Sequence, residues 1–527
     1  MRRRAFLTAS AATLALPSVG RAEKKRVLKY IPLADLAVVD PVWTTVYPTN
    51  NHAYMVFDTL FGQTGQRDGF AATRQMVAGH TIENDGKTWT LTLRDGLKFH
   101  DGEKVLARDC LASIKRWGMR DPFGQALMAR TDEISAPDDK IIVFRLKRPF
   151  GLLPDALGHG GPNMCAIMPQ RIAETDPFKQ ITEVVGSGPF RFKADERVQG
   201  SLFVYERFDG YKPREDGEAS FTSGPKIVHF DRVEWHVLPD PATKAAALQT
   251  GEMDWWDNPT PDLLPLLRQN NIATPLVGAG GILVILRPNH LFPPFDKPAV
   301  RRALMGAIDQ QELMTAMQGE DTSLWSVPCG FFPPISPFAS DAGMAALTGQ
   351  RDYAAVKKTL EMAGYAGEKL VLLVATDQPT YKALSDVVAD ILKRVGVDVD
   401  YHAVDQGTFV QRRAIPKPPA QGGWNLFCTG FPGIDVLSPA CHPPLRGNGN
   451  GAWVGWPDDP KIEQLRDAWL NAPDLAERKK IGVDIQLEAF QSVPCWPLGL
   501  AQRPTAFRKN ITGVLEGFTK FWNVRRI

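Results

Sequence analysis

The stretch NDGKTWTLTLRDGLKFHDGEKVLARD, Asn84 to Asp109, constrains the fold of this chain more than any other. Its Gly86-Lys87-Thr88 could be the tail of a phosphate-binding loop. Such a loop needs a glycine five residues before Gly86, where Thr81 stands, and it opens into a helix. Here Trp89-Thr90-Leu91-Thr92-Leu93 follows instead, alternating like a half-buried strand. Asn84-Asp85-Gly86-Lys87 therefore predicts a tight hairpin turn. Asp95-Gly96 and Asp101-Gly102 predict two more turns. From Ala107 the apolar spacing becomes helical through Cys110, Leu111, Ile114 and Trp117. The stretch reads as strand, turn, strand, turn, helix.

Length and charge bound the rest. The 527 residues are 44% hydrophobic and 23% charged, ample for more than one core. Residues 1–22 predict a targeting segment: three arginines, an apolar run from Ala5 to Leu16, and Gly20-x-Ala22 as a small-x-small cleavage site. Arg3-Arg4-Ala5-Phe6-Leu7 resembles a twin-arginine export signal, and a plain secretory signal is the open alternative. Removing Arg2, Arg3, Arg4 and Arg21 takes 61 basic residues to 57 against 59 acidic, a mature charge near −2. That balance points away from nucleic acid and anionic membranes. No apolar run of membrane-spanning length follows the N-terminus. The expectation is an exported, soluble, monomeric periplasmic protein.

Catalytic and metal motifs are missing. Gly158-His159-Gly160-Gly161 is similar to an oxyanion loop, but Ser187 has Val185 and Pro189 where a nucleophile elbow needs glycines. No His-Glu-x-x-His and no Cys-x-x-Cys occur, so neither a zincin nor a thiol metal site is expected. His402 reads as a strand residue, and Arg412 to Pro419 as a Pro-rich surface loop. Of the six cysteines, Cys428 and Cys441 are the first choice for a disulfide; buried free thiols are the other reading.

Strands and helices alternate along much of the chain. Val27–Ile31 and Val233–Val237 are expected strands, followed by a helix from Pro241 to Thr250 and a strand at Met253–Trp256. A second α/β unit runs from a strand at Ile282–Leu286 through a helix at Pro298–Met317 and another at Tyr353–Ala363. It continues with a strand at Leu370–Val374, a helix at Tyr381–Val395 and a strand at Asp398–Ala403.

The opening stretch closely resembles the signature of solute-binding family 5, the oligopeptide, dipeptide and nickel-chelate receptors of ABC importers. Val39-Asp40-Pro41, Val56 to Phe61, Gly186-Ser187-Gly188-Pro189-Phe190, Leu248 to Asp254 and Pro293 to Asp309 resemble further family segments in order. The resemblance implies a periplasmic-binding-protein-like α/β fold, with two α/β lobes around a cleft and an extra small domain. Lobe I would comprise 26–62, 185–278 and 504–527; lobe II, 63–184; lobe III, 279–503. The hinge would lie near Gly281–Asn289 and Gln502–Phe507. It implies a solute receptor that closes on its ligand and docks on permease subunits in the inner membrane, with no catalysis and no cofactor. A sensor receptor, a chaperone-like binder and a secreted hydrolase are the rival readings.

Specificity in the family is read in the cleft. Dipeptide and oligopeptide receptors carry W-x-x-D-x-x-D-P, whose Asp pairs with the ligand ammonium. Here Phe431 follows Thr429-Gly430 at the matching place. Asp435 stands for the second acid, replaces the first after a shift, or caps a helix before Val436. Gln378 stands where dipeptide receptors place an Arg for the ligand carboxylate. A standard dipeptide thus loses both expected partners. Trp43, Tyr47, Asn51, Trp424, Phe431 and Trp453 are the expected cleft walls, with Trp325, Asn448 and Asn450 as further candidates. Such a set suits a larger, less charged or cationic solute such as a modified peptide, opine or glycoside.

Overall fold

The computed structural model describes residues 26–278 and 280–527; the targeting segment read at 1–22 lies outside them. Among the described residues no helix is long and apolar enough to cross a membrane.

Two mixed sheets carry the architecture. In the first, the strand Val27–Ile31 lies between Arg232–His236 and Trp255–Trp256, parallel to both. The helix Pro241–Thr250 connects these two neighbours, as the β-α-β reading requires. Asp240 accepts from Thr243 N at its start, and Gly251 adopts φ +80° at its end. Antiparallel strands Leu202–Arg207, Phe190–Phe192, Ala506–Arg508 and Ile272–Ala273 complete this sheet of seven.

The second sheet has six strands, in the order Trp325–Ser326, Trp496–Ala501, Ile282–Pro288, Leu426–Pro432, Leu370–Ala375 and Val399–Val404. Leu370–Ala375 is buried throughout and pairs in parallel with Val399–Val404 and Leu426–Pro432. The single helix expected from Pro298 to Met317 is two, Pro298–Met305 and Gln310–Gln318. Asp309 breaks it, accepting from Gln311 N and Glu312 N to cap the second.

The opening stretch forms the expected hairpin. Val77–Glu83 pairs with Thr88–Leu93, and Asn84, Asp85 and Gly86 all take positive φ in the turn. Ile141–Leu146 and Thr131–Ser135 extend it to four antiparallel strands, against which the helix Ala107–Gly118 packs. The motif His100-Asp101-Gly102 does more than turn the chain. His100 Nδ1 accepts from Gly186 N at 3.2 Å, and its Nε2 meets Gly188 O at 3.0 Å, pinning the hairpin lobe to the Gly186–Pro189 segment. At Gly186 and Gly188 any Cβ would collide with the backbone of Met55–Phe57, which explains the glycines.

The chain passes between the two sheets twice. The first passage occupies 274–281, because Ile282–Pro288 is already a central strand; it precedes the expected Gly281–Asn289 crossing. The second lies between Ala501 and Ala506. The passages bond to each other: Thr505 N donates to Pro275 O, and Val277 N to Arg503 O. All six cysteines are free and buried, which leaves the Cys428–Cys441 disulfide unformed. Cys428 lies on a buried strand and Cys441 in a separate buried loop, where each serves as a small apolar filler.

Candidate functional site

A cavity of about 450 Å³ opens where three parts of the chain meet. Its walls are Trp43 to Val46, the Arg120–Gln125 and Pro162–Asn163 segments, and a set from Arg413 to Trp453 that includes Thr429, Gly430, Phe431 and Asp435. That volume lies within the roughly 300–1,000 Å³ usual for small-molecule sites.

The Trp43 wall is fixed by a buried anchor. Asp40, fully buried, accepts from Val42 N and Trp43 N and receives both arms of Arg116 at 3.0 and 2.7 Å. Asn163 Nδ2 reaches the carbonyls of Pro41, Val42 and Thr44, and Arg120 donates to Trp43 O at 2.9 Å. The Val-Asp-Pro motif is therefore structural, and it sets where Trp43 stands.

The opposite wall grows from the end of the strand Leu426–Pro432. Phe431 meets Trp453 edge to face, ring centroids 4.9 Å apart. The guanidiniums of Arg287 and Arg413 lie 5.3 and 5.4 Å from the Trp453 ring. Asp435 sits inside the short turn Gly433–Val436, not at a helix N-cap. It is 5% exposed, with no hydrogen-bond donor or cation bonded to it among the described residues. Burial, aided by the charge of Asp121, pushes its carboxyl up to about 8. Asp435 also borders a smaller hollow of about 20 Å³, room for about one water, with Tyr47, Asn50 and Arg503. Tyr47 accepts from Thr519 N, and Arg503 stacks on its ring at 3.8 Å while reaching Asp257.

Several expected walls are elsewhere. Asn51 is buried toward the first sheet, donating to Tyr30 OH at 3.4 Å; its neighbour Asn50 faces the small hollow, with Oδ1 unpartnered. Trp424 is fully buried against Phe427 and Trp456 and acts at one remove, donating from Nε1 to Arg413 O. Trp325 is a core residue whose Nε1 donates to Gly319 O, and Asn448 and Asn450 face solvent. Gln378 lies in a different hollow of about 380 Å³, with Tyr381, Trp256 and Lys244. A further hollow of about 480 Å³ adjoins it at Thr260, Met317 and Pro379. Sequence reading missed Arg120, Arg413 and Arg446 on the main cavity. The first two sit at or beside a helix end, where a charge reads as solvated.

The hydrolase-like features have structural roles. Ser187 Oγ donates to Ile167 O and accepts from Asp58 N. In the glycine run, His159 bonds Asp121, Gly160 N donates to Gln63, and a Cβ at Gly161 would collide with Asp435. His402 bridges Asp400 and Arg412.

Two α/β lobes joined by paired crossings, with a walled cavity beside the junction, define a periplasmic solute receptor. Residues 72–435 match the family described as bacterial extracellular solute-binding proteins, family 5 Middle. The chain belongs to that family. It is 36% identical, over 98% of its length and 97% of the relative's, to a probable peptide ABC transporter periplasmic-binding protein, y4tO, of Sinorhizobium fredii. It is 28% identical, over 83% of its length and 82% of the relative's, to the glutathione-binding protein GsiB of Pectobacterium atrosepticum. Its fold matches that of a dipeptide-binding protein from a Pseudoalteromonas species in complex with Met-Leu, with TM-score 0.77 and 19% identity. That match covers 95% of this chain and all of the other.

Proposed function

We propose that the cavity bounded by Trp43, Phe431, Asp435 and Trp453 is the solute site, and that the protein carries a peptide-like or other medium-sized solute to an ABC permease without transforming it. One observation carries this reading. Asp435, a residue only 5% exposed, lines a cavity with aromatic walls and has no hydrogen bond to its carboxyl among the described residues. A carboxyl that faces a cavity without a fixed partner is free to bond a solute there. The lobe boundaries 26–62, 185–278 and 504–527 for lobe I, 63–184 for lobe II and 279–503 for lobe III fit this reading. The two sheets then fall in lobes I and III, the hairpin sheet falls in lobe II, and the cavity touches all three. The paired passages at 274–281 and 502–505 would be the hinge about which the lobes close. A carrying role without catalysis is supported by the family, whose members are solute-binding proteins.

Native mass spectrometry of the protein starting at Glu23 tests this. The expected result is a small non-covalent adduct that disappears after unfolding and refolding and is lost in Trp453→Ala. An adduct retained in Trp453→Ala, or turnover of any bound solute, would overturn the reading.

A further inference from the structure

The charge of the cavity wall names the class of solute, an inference that rests on the solute-site reading above. Three guanidiniums line the cavity, those of Arg120, Arg413 and Arg446. Arg446 is neutralised in part by Glu463, which accepts from its Nε at 3.2 Å and is shared with Arg466 at 2.7 Å. Arg120 donates to Trp43 O and lies 4.9 Å from the Phe178 ring, with no carboxylate bonded to it among the described residues.

Arg413 is the sharpest case. It ends the helix Gln406–Arg413, and its guanidinium has no hydrogen-bond acceptor among the described residues. It lies over two rings, 5.7 Å from Phe409 and 5.4 Å from Trp453. Its neighbour Arg412 is the opposite: its guanidinium bonds Gly422 O, Gly423 O and His402 Nδ1, clamping the Pro-rich loop. Adjacent helix positions point about 100° apart, so the two arginines serve different surfaces. Burial lowers the Arg413 guanidinium to about 10, so it remains a cation at neutral pH. The one acid on the wall, Asp435, is held largely in its neutral form by its own burial. The cavity therefore carries net positive charge, with one planar donor fork left unused.

We propose that the solute is net anionic, with a carboxylate held by the Arg413 fork and further negative charge facing Arg120 and Arg446. A guanidinium that faces the cavity without an acceptor of its own can take a carboxylate bidentately in its own plane. Trp453 and Phe431 then supply the apolar side of the same cavity. This differs from the expectation of a less charged or cationic solute, which rests on the aromatic and asparagine walls and on Phe431 and Gln378 standing where an acid and an arginine are usual.

The test is calorimetric titration of the full chain with glutathione, glutamyl-glutamate, trialanine and trilysine, in wild type, Arg413→Gln and Arg413→Lys. The expected result is that glutathione or glutamyl-glutamate binds at least ~10-fold more tightly than trialanine, with affinity falling when salt rises from about 50 to about 500 mM. Arg413→Gln should remove that ~10-fold advantage while melting at the wild-type temperature, and Arg413→Lys should restore part of it. Three results would overturn the proposal: neither acidic probe binds, trialanine or trilysine binds as tightly, or Arg413→Gln binds the acidic probes as wild type does. Binding of trialanine or trilysine alone would leave the solute-site reading standing. An absent mass-spectrometric adduct together with no binding of any probe would sink both. Should Arg413→Gln fail to fold, the salt dependence and probe order in wild type still decide.

Discussion

Two hollows flank the junction between the lobes, and they differ in chemistry more than in size. The one at Gln378, with its neighbour at Thr260, is the roomier, about 380 and 480 Å³ against 450 Å³ at Phe431. Yet several of its charged groups are already engaged by their own chain. Asp321 accepts from Ser323 N, Asp377 from Gln406 N, Arg268 donates to Thr274, and Arg503 pairs with Asp257. At the Phe431 cavity, Asp435 and Arg413 have no such partners among the described residues. Volume is a weak guide to a binding site. An acid and a guanidinium that face one cavity without a bonded partner are a better one, although the other hollow also has an unpartnered hydroxyl, Thr260 Oγ1.

The largest way to break this contrast is at the anchor of the Trp43 wall. Asp40→Asn leaves Arg116 buried with half its partner, and should cost ~3–5 kcal/mol in urea unfolding. A loss under ~1 kcal/mol would mean that Asp40 does not hold that wall. Next comes the cavity itself. Trp453→Ala should weaken solute binding by roughly 30- to 100-fold, about 2–3 kcal/mol by calorimetry, whereas Gln378→Ala should change it less than ~3-fold. The reverse order would move the site to the other hollow.

A smaller effect isolates Asp435. Its folded carboxyl titrates near 8, against about 4 for an unfolded aspartate. Between those values the unfolded chain releases the proton and the folded one keeps it. The stability that the neutral acid provides is full below about pH 4 and is lost as pH rises toward 8. Unfolding free energy of wild type minus that of Asp435→Asn should therefore fall by roughly 1 kcal/mol per pH unit over that window. A flat difference curve would show a carboxyl that is already paired. The smallest effect belongs to a control remote from both hollows. Asp467 accepts from Arg130 and Arg148 while half exposed, and Asp467→Ala should cost under ~1 kcal/mol and leave binding unchanged.

What could be read from the sequence followed the same division. The hairpin at Asn84, the helix Pro241–Thr250 and the strand Val27–Ile31 obey local rules of turn, cap and alternation, and the structure has them where expected. The family likeness ran along these scaffold segments, where Asp40, His100 and Gly186 prove to be joints between parts of the chain. The cavity obeys no local rule. Tyr47–Val56 is buried almost all round, so no polar stripe marks which asparagine faces the hollow, and Asn50 rather than Asn51 does. Arg413 sits beside Arg412 in a Pro-rich, charged stretch that reads as solvated surface; only the packing of Trp453 and Phe409 shows that one of the pair is drawn into the cleft. Trp424 and Phe431 stand at opposite ends of one strand region, and only the sheet's setting tells core from cavity.

The most direct test of the account is hydrogen–deuterium exchange of the mature protein with and without its co-purified solute. The expected result is that the solute protects backbone amides at 41–46, 427–437 and 449–455, the walls of the Phe431 cavity. Protection confined to 256–261 and 377–383, around Gln378, would contradict it.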